Sequence, residues 1–297
     1  MPVEAKTIQI FLPDGQPRGI RIADITTRIV QAIAVPRTQL EFALSRGEAS
    51  RIALYFLFGQ TDEQARPMVY VGQTEDLPAR MRAHNANKDF WQTAVWVLSK
   101  TESFTQAHIK YLEWFSIGKT REAGRYALDN GNEGTEPFVT EPMKADIMDA
   151  FETATTLLGT LGYPVFEPVV SRAPESPAVD VYICTGSGAD ARGALVEDGF
   201  VVLKDSIARA GLVPSARDGY LELKRDALLK SGVLVPDGDH LRFTQDYLFD
   251  TPSGAAMVVM GRTANGWYEW RKSAPDGRSL HELKRAPTTQ AAPSATT

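Results

Sequence analysis

The chain has a single cysteine, Cys184, in 297 residues. An intramolecular disulfide and a cysteine-rich metal site are both excluded, and a reducing cytoplasm is the expected setting. No apolar run approaches the roughly 20 residues that cross a bilayer, so no membrane partner is expected. Met1 to Gln9 mixes Glu4 and Lys6 with short apolar residues and lacks the apolar core of a secretory leader. Positive charge is not in excess either: 32 Lys and Arg against 37 Asp and Glu leave a net charge of -5. Indiscriminate coating of nucleic acid depends on Lys and Arg releasing counterions from phosphates, so this balance argues against it. A local basic cleft stays compatible. No internal repeat is visible.

What is present is ordinary for a globular protein, with 43% hydrophobic and 23% charged residues. The length suffices for two domains and a tail. Thr7 to Leu12 alternates as a strand, Pro13-Asp14-Gly15 signals a turn, and Gly19 to Ile25 reads as the returning strand. A helix is expected over about Thr38 to Ser45. The run RIALYFLF, Arg51 to Phe58, is too short for a helix and reads as a buried strand. With Met68 to Val71 it makes a hairpin across the long polar loop Gly59 to Arg66. From Leu77 the period changes: Leu77 with Met81 and Arg80 with His84 fall four apart on one short helix. Gln92 to Leu98 is a third strand of this segment. Ser103, with Gln106 three positions on, has the capping-box pattern of a helix start, and Phe104, Ala107, Tyr111, Leu112 and Phe115 form the stripe that helix would bury. A longer helix is expected over Pro142 to Leu158. Glu167 to Pro177 has the proline and polar content of a linker, and the sequence after Lys284 has almost no large apolar residues, the composition of a disordered tail.

The residues that carry chemistry stand in order along the first half: Ala53-Leu54-Tyr55, Tyr70-Val71-Gly72, then Arg80, His84 and Glu113. Thr74, Leu77 and Arg80 follow the second triplet at strand-turn-helix spacing. This set resembles the GIY-YIG nuclease family over about residues 50 to 135, with Ala-Leu-Tyr for Gly-Ile-Tyr and Tyr-Val-Gly for Tyr-Ile-Gly. The resemblance implies endonucleolytic cleavage of DNA, with RNA left open, using one Mg²⁺ or Mn²⁺. It makes Glu113 the metal ligand and Tyr55 the group that orients or deprotonates water. Arg80 offers a planar fork to phosphate oxygens, while Tyr70 and His84 position the phosphate or relay a proton. Asn130 falls where the family often has an asparagine bearing on substrate, with Asn132 an equal reading. Ala53 in place of glycine tightens any close backbone approach there. The different-class reading is a nucleic-acid binding or sensing module that keeps the fold without the chemistry.

The second half shows no catalytic cluster. Phe200 to Leu203 is a strand, and Thr251 to Ala256 opens a small-residue helix whose N-terminus is suited to an anion. Thr251-Pro252-Ser253-Gly254-Ala255-Ala256 and Asn265-Gly266-Trp267-Tyr268-Glu269-Trp270 resemble a domain of unknown function often found C-terminal to GIY-YIG domains. They are similar, more loosely, to the small domain attached to restriction-type adenine methylases. Trp267 and Trp270 are candidates for stacking a base and Arg262 for contacting phosphate; the alternative is an Asn-Gly turn feeding a tryptophan-anchored core strand. The expected architecture is α+β: a GIY-YIG nuclease fold, a small antiparallel sheet flanked by helices, with a second, smaller α+β domain. The expected boundaries are 1–48 for an N-terminal hairpin and helix, 49–140 for the nuclease-like domain and 141–177 for a helical connector and linker. An accessory domain would occupy 178–273 and a disordered tail 274–297.

Overall fold

The structure is a computed structural model that describes residues 5–60, 67–131, 134–169, 180–217, 219–273 and 277–285. The chain divides into two compact units, Met1–Pro168 and Val169–Thr297. Both combine helices with a sheet, and among the described residues no helix is long and apolar enough to cross a membrane.

In chain order the first unit contains β1 (Ile8–Phe11), β2 (Arg21–Ile25), β3 (Val30–Pro36), α1 (Leu40–Leu44), β4 (Ala53–Gly59), β5 (Met68–Thr74), α2 (Leu77–Asn87), β6 (Trp91–Ser99), α3 (Gln106–Ala123), β7 (Ala127–Leu128) and α4 (Glu141–Thr160). The strands form one sheet in the order β1-β2-β3-β6-β4-β5-β7. Every pairing is antiparallel except β5 with β7. The sheet is larger than the small one expected, and the N-terminal hairpin is part of it. The link is β3, which the sequence reading missed. Its residues VQAIAVP do not alternate, because both faces are covered: Val30, Ala32 and Ala34 enter one core while Ile33 and Val35 enter the other. A strand buried on both sides loses the period-two signal.

β4 is central for the same reason. Leu54, Phe56 and Phe58 face the core under α3 and α4, whereas Ala53, Tyr55 and Leu57 face the core under α1 and α2. Helix α2 buries Leu77, Met81 and His84, spaced for one face. Its N-cap is Asp76, whose carboxylate accepts the Ala79 N–H at 3.0 Å. Helix α3 starts two residues later than expected. Thr105 rather than Ser103 opens it, with the Thr105 N–H donating to His108 Nδ1 at 3.2 Å. Ser103 instead joins Ser99 through their hydroxyls at 2.9 Å. The buried face of α3 also differs, carrying Ile109, Tyr111, Leu112 and Ile117, while Ala107 is exposed.

The second unit continues with β8 (Val181–Gly186), β9 (Ala189–Val196), β10 (Gly199–Val202), β11 (Ile207–Arg209), α5 (Tyr220–Lys230), β12 (Leu234–Asp237), β13 (His240–Phe243), β14 (Tyr247–Phe249), α6 (Pro252–Met260), α7 (Gly266–Glu269), β15 (Arg271–Lys272) and α8 (Leu280–Lys284). The main sheet path is β12-β13-β11-β9-β10-β14, with β8 pairing β9 and β15. Two expectations are corrected here. Asn265-Gly266 does not turn into a strand; the Asn265 side chain caps the one-turn helix α7, accepting the Trp267 N–H at 3.1 Å. The segment assigned to a tail from residue 274 contains α8, with Leu280 fully buried and a capping box between Ser279 and Glu282. Residues 286–297, given the same expectation, lie outside the described residues, as do 170–179 of the linker.

The first unit encloses its own two cores. A fragment ending at Pro168 is therefore expected to fold alone, with one cooperative thermal transition by circular dichroism. A fragment lacking near-ultraviolet signal from Trp91 and Trp96, both almost fully buried, would contradict this.

Candidate active site

The register of β4 against β5 sets the site. Tyr55 stands directly opposite Gly72, and its ring crosses the space a side chain there would occupy. A Cβ on Gly72 would lie 2.3 Å from the Tyr55 hydroxyl oxygen, far inside van der Waals contact. The glycine of the second triplet is required by the tyrosine of the first. Ala53, by contrast, is accommodated without difficulty: its methyl is fully buried in the α2-side core.

With Gly72 leaving room, the Tyr55 hydroxyl reaches α2. The Arg80 Nε–H donates to it at 2.9 Å, and it lies 2.8 Å from His84 Nε2. Since the oxygen accepts from Arg80, its one proton is available for His84, which must present an unprotonated Nε2. The electrostatics agree. Burial, followed by the cations of Arg80 and Lys88, pushes His84 down to about 4. Burial likewise raises the Tyr55 phenol above its ordinary value, only partly opposed by the Arg80 hydrogen bond. At neutral pH the unit is a neutral phenol between a guanidinium and a neutral imidazole.

Tyr70, two residues before Gly72, lies on the same face. Its ring centre is 6.2 Å from that of Tyr55 and 5.1 Å from that of His84, and its hydroxyl accepts from Arg80 Nη2 at 3.4 Å. Sequence reasoning missed Lys88, one turn past His84. It pairs with Asp129 and holds its ammonium 4.4 Å from the Tyr70 ring centre. The i, i+4 spacing of Arg80, His84 and Lys88 was the available signal.

Glu113 arrives from the opposite face of the sheet, around the edge of β5. That edge is open because β7 pairs only with Met68 and Val69. The next outward groups are taken in turn by side chains. Asn130 Oδ1 accepts the Val71 N–H at 2.9 Å, and its Nδ2 donates to the Val71 carbonyl at 2.8 Å. Beyond it, the Gln73 N–H donates to Glu113. Asn130 thus holds the strand edge with its amide while bordering the cleft at that edge. Asn132 lies outside the described residues.

A cleft of about 480 Å³ opens at this edge, lined by Tyr70, Gln73, Lys110, Glu113, Trp114 and Ile117 together with Asn130, Gly131, Gly134, Thr135 and Pro137. Of the predicted groups, Tyr70, Glu113 and Asn130 border it. Tyr55 has no exposed surface, so water reaches its hydroxyl only if its neighbours move; its contacts make it a post that fixes Arg80 and His84. Burial raises the Glu113 carboxyl above its ordinary value, against the pull of the Gln73 N–H and of Arg80 and Lys110. No cation lies within ion-pair distance of it among the described residues. A desolvated carboxylate without a paired cation suits a divalent ion. Among the described residues no three His, Cys, Asp or Glu side chains gather, so the protein would supply one ligand, with water and substrate oxygens completing the shell.

The remaining candidates are occupied. Arg262 donates to Glu269 Oε1 at 2.8 Å and to the Thr263 carbonyl at 3.1 Å. The Trp267 ring is covered by the Arg285 guanidinium at 3.5 Å. At the start of α6 the Thr251 hydroxyl already accepts the Gly254 N–H at 3.0 Å, and the Gly266 backbone packs against Pro252. Trp270 is fully buried, donating its indole N–H to the Pro252 carbonyl at 3.0 Å. Trp270, Pro252 and Gly266 are buried in the second unit, while Arg262 and Trp267 are half-buried and Thr251 is exposed.

Residues 182–284 match the domain of unknown function DUF4357. No curated protein and no solved structure matches the chain.

Two expectations follow from the clamp. Gly72→Ala forces the Tyr55 hydroxyl out of its place between Arg80 and His84, at a cost of about 1–3 kcal/mol; an unchanged denaturation midpoint would contradict the stated contact. His84 accounts for a pH dependence with a definite sign. Its folded value, about 4, lies below the ordinary histidine value of 6.5, so the unfolded chain binds the extra proton between them. The stability it contributes is present above about pH 6.5 and is lost as pH falls toward 4. Denaturation at pH 7 and pH 4.5 should show a smaller pH loss for His84→Gln than for the parent.

Proposed function

We propose that the chain is an endonuclease that hydrolyses phosphodiester bonds of DNA through a GIY-YIG type site, with Mg²⁺ or Mn²⁺ on Glu113. One observation carries the reading: the Tyr55 hydroxyl held between Arg80 and His84 beside Tyr70, at the strand end where Glu113 enters a cleft. Groups from β4, β5, α2 and α3 converge there, in the set that the sequence resemblance names.

The chemistry follows from the donors. Arg80 uses one N–H on Tyr55 and one on Tyr70, leaving others for the oxygens of a phosphate. Tyr55 keeps the guanidinium fixed, so little reorganisation is needed when charge grows on the phosphoryl group. Burial first, and then the cations of Arg80 and Lys88, keep His84 neutral, and a phosphate seated on Arg80 offsets only the second cause. The Tyr70 phenol borders the cleft, placed to hold a phosphate oxygen or the attacking water. When bound, the divalent ion neutralises phosphoryl charge and stabilises the departing oxygen. Non-catalytic nucleic-acid binding is the competing reading, favoured by the single carboxylate and the burial of Tyr55. DNA is the proposed substrate, and an RNA arm in the assay separates the two polymers.

The test is cleavage of duplex, branched and single-stranded DNA and of RNA, with and without Mg²⁺. Glu113→Gln keeps the shape and removes the charge; it is expected to abolish metal-dependent cleavage without lowering the melting temperature, and to abolish any rise in that temperature on adding Mg²⁺. Arg80→Lys keeps the charge and loses the fork, and a rate loss on the order of 10²-fold is expected. Full activity in Glu113→Gln would remove the metal site, and no cleavage of any polymer by the parent would favour the binding reading.

A further inference from the structure

The cleft holds more than the proposed chemistry uses. Helix α3 presents Lys110, Glu113, Trp114 and Ile117 along it, positions spaced for one helical face. Beside the carboxylate stands a large half-buried indole. Its environment is built rather than incidental: Tyr111 packs edge-on to it at 5.4 Å between ring centres. The Tyr111 hydroxyl in turn donates to Glu136 at 2.9 Å, tethering the segment that forms the far wall through Thr135 and Pro137. The apolar wall of Trp114 and Ile117 thus faces a tethered loop, with Gln73 and Tyr70 at the strand edge and Lys110 at the rim.

The dimensions select the ligand. About 480 Å³ lies within the roughly 300–1,000 Å³ range of small-molecule sites and is far too small for a duplex. A base must leave its helical stack to enter such a space. An aromatic face with a nearby ammonium and an amide suits one nucleotide: the ring stacks, the cation meets a phosphate, and the amide meets the base edge.

We propose that this cleft is a subsite for one unpaired nucleobase, stacked on Trp114, adjoining the phosphate held by Arg80. The inference rests on the nuclease reading for that phosphate and adds a substrate class. The preferred nucleic acid carries an unpaired nucleotide at the point of action, as in a bulge, flap or single strand, and continuous duplex is disfavoured.

The experiment uses the full chain and a pair of labelled hairpins that differ by one unpaired nucleotide. Binding is measured without metal by fluorescence anisotropy, and cleavage is measured separately with Mg²⁺. The parent is expected to bind the unpaired hairpin about tenfold or more tightly than the paired one. Trp114→Ala is expected to lose that preference, and Trp114→Phe, which keeps an aromatic face, to retain most of it and so control for folding. Equal binding of both hairpins by the parent overturns the subsite, as does a preference that survives in Trp114→Ala. The two readings fail separately. Metal-dependent cleavage with no preference for the unpaired nucleotide leaves the nuclease reading standing and removes the subsite; a Trp114-dependent preference in a protein that cleaves nothing does the reverse.

Discussion

The Tyr55 hydroxyl sits over Gly72 because β4 and β5 pair in one register. Side chains alternate along a strand, so a slip of β4 by one residue would send Tyr55 to the α3 and α4 face, away from Gly72 and Tyr70. What prevents the slip is the double-sided core. Leu54, Phe56 and Phe58 are locked into one side and Ala53 and Leu57 into the other, and β6 pins β4 from its second edge. The clamp on Arg80 and His84 follows from that register, since only a phenol projecting from position 55 over a residue without a side chain reaches both.

The second constraint is the incomplete edge of β5. An unpaired strand edge presents backbone groups that need partners. Here β7, Asn130 and Glu113 take successive groups, the last two through side chains. Asn130 extends the ladder by two hydrogen bonds, each contributing about 0.5–1.5 kcal/mol net. Glu113 ends it with a charge. The carboxylate is therefore placed by the backbone of the strand that carries Tyr70, and groups from opposite faces of the sheet meet at one opening. That meeting is where binding and chemistry are proposed to coincide.

The sequence made part of this legible. The short spacings, Tyr55 on a buried strand, Tyr70 before Gly72 and Arg80 four before His84, survive folding because local geometry fixes them. Less was legible where burial hides the pattern: β3 is covered on both faces and shows no alternation. Partners distant in sequence were hidden too. That Asn130 binds Val71 and Glu113 binds the Gln73 N–H depends on how the chain returns after α3, which no local pattern encodes. In the second unit, Arg262 and Trp267 looked available because nothing in the sequence announces that Glu269 and Arg285 cover them.

The Tyr55 hydroxyl and the Arg80 guanidinium form one unit in the proposed chemistry, and a double-mutant cycle tests this most directly. Tyr55→Phe, Arg80→Lys and the double variant are compared with the parent for the rate of metal-dependent cleavage. Groups that act together are strongly non-additive, so the double variant is predicted to be about as slow as the slower single variant. Losses that multiply in the double variant, or a Tyr55→Phe protein as fast as the parent, would contradict the claim that Tyr55 acts by holding Arg80.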